Sequence, residues 1–265
     1  MKKGTVVSFM NNKGGVAKTM SAFNIGVAWA RNGYKVLFID LDSQATLTSI
    51  ISDDDERYMD GWDVEIEDSF QMGPEACPLP IFPSKYENID FVPTTLQLQN
   101  FDVHTANSPA KAYLLTDLIA PIKDQYDYII IDCPPALGSL IINAMIASDG
   151  ILLVTGANGP SFEGTKMITK VYNNIVSNDR LNPNLKLFGV LITNFENDSI
   201  NKQMEELIRN TYRGYVMKQM IRKSTKLNQA VTLRISIFEH DPYGRGAADY
   251  NEAAKELITN MDQTV

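Results

Sequence analysis

Seven residues, Asn11–Ala17, separate the apolar run Thr5–Met10 from the helix-like stretch Lys18–Arg31, and two of the seven are adjacent glycines. The run has the β-branched composition of a strand, and the stretch ends at Gly33, a good helix C-cap. A strand that enters a helix through such a short loop leaves the helix's first N–H groups without intrahelical partners. Those groups, together with the positive end of the helix dipole, form an anion site. Residues 12–19 read Asn12-Lys13-Gly14-Gly15-Val16-Ala17-Lys18-Thr19. Small residues let the backbone close around phosphate oxygens, Lys18 supplies a point charge to the β- and γ-phosphates, and the Thr19 hydroxyl suits Mg²⁺. The sequence thus predicts a nucleotide site on residues 13–20, Met20 included. The strict pattern GxxxxGK[ST] is broken at both glycines, by Asn12 and Ala17. A methyl at position 17 is harmless at negative φ and costly at positive φ, and negative φ is the expectation for a residue starting a helix.

The rest of the chain repeats the alternation. Strands are expected over Thr5–Met10, Lys35–Ile39, Ile89–Val92, Tyr128–Ile131, Ile151–Val154 and Leu187–Ile192. Helices are expected over Lys18–Arg31, Ala110–Ala120, Ser139–Ala147, Phe162–Val176, Ile200–Asn210 and Ala247–Met261. Several strands are continuous apolar runs, as in parallel sheets covered on both faces. The expected fold is α/β, a doubly wound and mostly parallel sheet flanked by helices. With 265 residues and 44% hydrophobic composition, one large domain over 1–265 accommodates it. Residues 51–88 stand apart as acidic and irregular, with prolines at 74, 78, 80 and 83, and are expected to form a surface excursion.

Two acidic motifs follow strand-like runs. Asp40-Leu41-Asp42-Ser43-Gln44 lies after the second, where the carboxyl ends of parallel strands border the ligand crevice. Strand alternation puts Asp40 and Asp42 on one side. Tyr128-Ile129-Ile130-Ile131-Asp132 is an apolar strand ending in a carboxylate, a Walker B pattern in which Asp132 holds Mg²⁺ through a water. Cys133, with no histidine near it in sequence, reads as a buried strand-end residue.

The order Lys-Gly-Gly-x-x-Lys-Thr resembles the deviant Walker A motif of the ParA/MinD ATPases. Asp40 to Gln44 resembles that family's D-x-D-P-Q segment, with Ser43 in place of proline, and Asp132-Cys133-Pro134-Pro135 resembles its γ-phosphate-sensing loop. Phe162-Glu163-Gly164, Leu191-Ile192-Thr193-Asn194 and the stretch from Phe238 to Tyr250 extend the likeness over most of the chain outside 51–110. The resemblance implies a short ParA-type partition protein that binds ATP and Mg²⁺. It implies that Lys13 reaches a partner's nucleotide in an ATP-dependent homodimer, that Asp42 orients the attacking water, that Asp40 supports the Mg²⁺ site, and that Asn194 contacts adenine. It further implies hydrolysis stimulated by a centromere-binding ParB-type protein and binding to non-specific DNA. Only four residues precede the first strand, which leaves no room for the N-terminal helix-turn-helix domain of larger members.

Charge bears on the DNA expectation. The net charge is −8, but twelve acids against Arg57 and Lys85 fall between Asp53 and Asp90, and the remaining residues sum to about +2. From Arg209 to Arg234 there are seven basic residues and no acid. Arg222, Lys223 and Lys226 are the expected phosphate contacts, with Lys218 and Arg234 beside them. The C-terminal stretch from Ala253 to Asp262 is neutral to acidic and lacks the basic, aromatic character of a membrane-binding helix. A MinD-like positioning ATPase and a small-molecule ATP-dependent synthetase on the same fold are the alternatives. Two cysteines, Cys77 and Cys133, fit a reducing cytoplasm, and a nucleoid-associated cytoplasmic location is expected.

Overall fold

A computed structural model describes residues 4–52, 65–108 and 110–263. Among the described residues seven strands form one sheet: β1 (Thr5–Met10), β2 (Val36–Asp40), β3 (Phe82–Pro83), β4 (Ile89–Val92), β5 (Tyr128–Asp132), β6 (Gly150–Gly156) and β7 (Lys186–Thr193). Their spatial order is β3-β4-β2-β5-β1-β6-β7, and all neighbours are parallel except β3 against β4. From β1 the chain crosses to β2 on one side and later, from β5, passes over β1 to β6 on the other. The winding therefore reverses beside β1, which is where doubly wound sheets open a crevice at the carboxyl ends of their strands.

The strands are apolar on both faces because both faces are covered. Val6, Met10, Leu37, Ile39, Ile129, Ile131, Ile151 and Leu153 pack on one side with helices α3 (Ile66–Met72), α5 (Leu114–Ile119), α6 (Ser139–Ala147), α7 (Gly159–Val176) and α8 (Ser199–Thr211). Val7, Phe9, Phe38, Ile130, Leu152 and Val154 pack on the other with α1 (Lys18–Arg31), α2 (Thr46–Ile51), α9 (Thr225–Thr232), α10 (Ile237–His240) and α11 (Arg245–Gln263). The short helix α4 (Phe101–His104) follows a 3₁₀ turn at Leu96–Asn100. Helix α1 is buried almost all round, wedged between the sheet and α11, with the Trp29 indole donating to the Ala254 carbonyl at 3.0 Å. Gly26 permits that depth, since a Cβ there would stand 2.2 Å from the Phe38 ring.

The acidic excursion is less irregular than its composition suggests. Residues 53–64 lie outside the described residues, but α3 follows them directly, opened by a capping box between Glu65 and Asp68. Its acids favour the helix N-terminus, and Ile66 and Phe70 are buried in the sheet's core. A short capped helix with two anchoring side chains is invisible to a reading that averages charge and proline content over 38 residues.

Candidate nucleotide site

The phosphate loop is set by contacts from three elements. Asn11, fully buried, donates through Nδ2 to the Val154 carbonyl at 2.6 Å and the Ser161 carbonyl at 3.1 Å, while its Oδ1 accepts the Lys13 N–H at 2.9 Å. From the other side the Thr193 hydroxyl donates to the Val16 carbonyl at 2.8 Å. Gly164 of α7 abuts the loop; a Cβ there would meet Asn11 Oδ1 and the Lys13 Cβ. Gly15 has φ of 77°, and open space lies around Gly14 and Gly15. Ala17 has φ of 59°, against the expectation of negative φ. It is the N-cap of α1, outside the helix rather than its first residue, and the loop's closure forces the left-handed turn that a glycine usually takes.

Lys18 and Thr19 converge on Asp132. The Lys18 ammonium is 3.9 Å from Asp132 Oδ1, and the Thr19 hydroxyl donates to Asp132 Oδ2 at 2.6 Å. In the sheet, Asp40 and Asp132 are direct partners at the ends of β2 and β5. Burial pushes both carboxyls up. Asp40 reaches about 7, raised first by burial and then by the charge of Asp132, and Asp132 is raised by burial against the opposing pull of Lys18 and Thr19. Asp40 Oδ2 accepts from the Thr48 N–H at 2.9 Å and hydroxyl at 2.8 Å, and its Oδ1 accepts the Asp42 N–H at 3.1 Å. The Thr48 hydroxyl in turn accepts the Thr94 N–H. Asp42 lies past the end of β2, so strand alternation does not set its direction. It is half-buried, and its Oδ1 accepts the Gln44 N–H at 3.1 Å. Cys133 is fully buried and its thiol is pushed up by that burial, a non-nucleophilic setting.

The residues fit Mg²⁺ and a polyphosphate. Asp132 Oδ1 is buried without a hydrogen-bond partner, the neighbouring donor is a hydroxyl, and hard oxygen ligands are what Mg²⁺ requires. The exposed glycine loop and the buried ammonium beside it can take phosphate oxygens. Asn194, with φ of 51°, is exposed at the end of β7, and Met20 is half-buried in the first turn of α1.

The basic segment from 209 to 234 gathers acids from elsewhere in the chain. Arg222 makes a two-pronged pair with Asp249, Lys223 lies 2.8 Å from Glu196, and Arg209 lies 2.7 Å from Glu205. Lys218 and Lys226 are exposed and make no ion pair among the described residues. Arg234 is half-buried at φ of 54°, and its carbonyl accepts the Lys85 ammonium at 2.6 Å. The absence of acids from one stretch of sequence thus did not mean an unpaired stretch in space.

Asn11, Thr48, Thr193 and Asp249 shape this region, and the sequence alone assigned none of them a role. Each is a small polar residue at a strand end or on a helix. Only Asn11, directly before the loop, carried a positional signal.

A sequence family described as an AAA domain matches residues 4–187. The sporulation initiation inhibitor protein Soj of Bacillus subtilis is 31% identical over 261 residues, covering 97% of this chain and 99% of that one. The chromosome partitioning protein ParA of Myxococcus xanthus is 28% identical, covering 96% and 88%. Among solved structures, cobyrinic acid a,c-diamide synthase from Mycobacterium smegmatis with bound ADP and magnesium has a TM-score of 0.82 at 22% identity, covering 98% of this chain and 96% of its own. That likeness concerns the fold alone. The matched family, the full-length likeness to Soj and the loop with its two lysines agree: the chain belongs to the ParA/MinD family of P-loop proteins and is akin to its short, Soj-like members.

Proposed function

We propose that this chain is a partition ATPase. Its ATP-bound form closes as a sandwich dimer that coats DNA without sequence preference. Hydrolysis, stimulated by a centromere-binding ParB-type protein, releases it, so that plasmid or chromosomal DNA is segregated on the nucleoid in the cytoplasm.

The contrast between the two loop lysines carries this reading. Lys18 is 7% exposed and sits on its own chain's Asp132. Lys13 is exposed and makes no ion pair among the described residues. One buried lysine suffices for the chain's own phosphates, so an exposed second lysine on the same loop suits the phosphates of a second copy. The alternative, a synthetase acting on a small molecule, shares the fold but gives Lys13 no work.

Thr19 and Asp132 would hold Mg²⁺, which would supply positive charge to the phosphates. Lys18 adds a point charge, and the N–H groups from Lys13 to Thr19 line the phosphate path. Asp42, half-exposed, takes the water and sets its direction. Asp40 holds the loop that carries Asp42, through the Asp42 N–H and Thr48. Asn194 lies on the base side, and Lys218, Lys223 and Lys226 are the phosphate contacts to DNA.

Sedimentation with Mg²⁺ and a slowly hydrolysed ATP analogue tests the proposal. Wild type is expected to dimerise and Lys13→Ala to remain monomeric. A wild type that stays monomeric while turning over a small-molecule substrate, or a Lys13→Ala variant that dimerises as well as wild type, overturns it.

A further inference from the structure

We propose that Asp249 and Arg222 form a latch that holds residues 217–223 in place as the base-side wall of the nucleotide cleft, and that Arg222 is a positioning residue rather than a contact for DNA. The inference rests on the reading of the chain as an ATP-binding protein.

Residues 217–223 run as a strap beside the end of β7. The Met217 N–H donates to the Val190 carbonyl, the Ile221 N–H to the Ile192 carbonyl at 2.9 Å and the Lys223 N–H to the Phe195 carbonyl at 3.0 Å, while Ile221 accepts the Phe195 N–H. The opposite side of the strap is tied to α11 by two carboxylates. Glu256 accepts the N–H groups of Lys218 at 2.6 Å and Gln219 at 2.9 Å. Asp249, 3% exposed, accepts the Arg222 N–H at 3.1 Å, its Nε at 3.0 Å and its Nη2 at 2.6 Å, and also Gln219 Nε2 at 3.1 Å. Four donors on one buried carboxylate make a built junction.

Its position explains what the junction is for. Thr193, at the end of β7, grips the phosphate loop through Val16, and Phe195, two residues on, grips the strap. The Tyr250 hydroxyl, next to Asp249 in α11, is 3.4 Å from Ser21 in the first turn of α1. Phosphate loop, β7, strap and α11 are thus tied in series, and a cleft of about 830 Å³ opens where the strap, the end of the β7 segment and α11 meet. Phe195, Asn197, Met220, Arg222, Lys223 and Arg245 line this cleft, which has the volume for a base and ribose.

The electrostatics separate Arg222 from its neighbours. Lys223 and Glu196 are both more than half exposed, so their pair is weak and Lys223 is free to exchange partners. If Arg222 left for a DNA phosphate, Asp249 would keep a buried charge without its cation. The fork geometry that satisfies Asp249 at two oxygens also fixes the strap's backbone at residue 222.

The test compares wild type, Asp249→Asn and Arg222→Lys for affinity toward a slowly hydrolysed ATP analogue, for KM and kcat of ATP hydrolysis, and for the salt dependence of DNA binding. Asp249→Asn removes the charge and Arg222→Lys removes the fork. Loss of a charge-assisted hydrogen bond is worth about tenfold in an equilibrium constant. Both variants are expected to bind the analogue about that much more weakly and to show raised KM with kcat within about twofold, while the salt slope stays at the wild-type value. If Asp249→Asn does not fold, Arg222→Lys decides. Unchanged affinity and KM in a folded variant, or a flattened salt slope with normal nucleotide affinity, overturns the latch. A wild type that binds no ATP overturns the functional reading itself, a separate outcome.

Discussion

At residue scale, Ala17 shows a departure from pattern that the fold absorbs. A non-glycine residue in the left-handed region costs on the order of 1 kcal/mol, and the methyl is the smallest group that incurs it. Ala17→Gly removes that strain but adds roughly 0.5–1 kcal/mol of unfolded-chain entropy, so its urea midpoint should stay near wild type. Ala17→Val, β-branched at φ of 59°, should lose about 1–3 kcal/mol. Equal midpoints for the two variants would show that position 17 is not strained. Asp40 gives a pH prediction for the protein in chelator without nucleotide. The native carboxyl keeps its proton up to about pH 7, while the unfolded one releases it near 4. Between those values the native Asp40 holds a proton that the unfolded one has lost, so it makes stability fall as pH rises, by up to ~1.4 kcal/mol per unit, and Asp132, raised by the same burial, adds to the fall. Chemical denaturation across that window should show the fall, and Asp40→Asn should lessen it; an unaltered slope assigns the titration elsewhere.

At the scale of elements, sequence and structure agree where hydrophobic period and boundary residues coincide. The strand Thr5–Met10 and the helices Lys18–Arg31 and Ser139–Ala147 have the expected bounds, because apolar runs there meet a glycine loop, Gly33 or the Ser148-Asp149-Gly150 turn. Ala110–Ala120 contracts to Leu114–Ile119, since residues 110–113 form turns rather than helix. Helices α2, α3, α9 and α10 escaped notice. Each has four to eight residues, too few for a period to emerge, and α3, α9 and α10 depend on caps by Glu65, Ser224 and Ser236 that only tertiary placement reveals. The acidic motifs were legible because strand-end carboxylates follow apolar runs, whereas Thr48 lies outside any motif and the grip of Thr193 on Val16 is a tertiary contact. The docking of α7 against the phosphate loop is itself testable. Gly164→Ala gains up to ~1 kcal/mol of helix propensity but drives a methyl into Asn11, whose amide ties the loop to β6 and α7. The clash should win: nucleotide affinity should fall together with thermal stability. A variant more stable than wild type with unchanged affinity would show that the loop yields freely there.

For the whole molecule, the proposed function requires a chain of net charge −8 to meet a polyanion. Sequence composition suggested an unbroken basic segment, but folding brings Asp249, Glu196, Glu205 and Glu256 to it. Of the expected contacts Arg222, Lys223, Lys226 and Lys218, those left for phosphate are Lys218 and Lys226, unpaired among the described residues, and Lys223, whose exposed pair with Glu196 is readily exchanged. Three such charges per chain are a weak anchor, and a dimer that presents both sets doubles them. About six neutralised phosphates give a log–log salt slope of roughly −5, without sequence preference because phosphate contacts carry none. A monomer, with half the charge, should bind far more weakly, which makes DNA binding depend on ATP. Replacing Lys218 and Lys226 together by alanine removes about four of the six contacts, so the slope should flatten to roughly −2 while nucleotide binding persists. Titrations of fluorescent DNA at several salt concentrations, with ATP analogue and without, measure all of this. A double variant that keeps the wild-type slope would place the DNA footprint elsewhere on the surface.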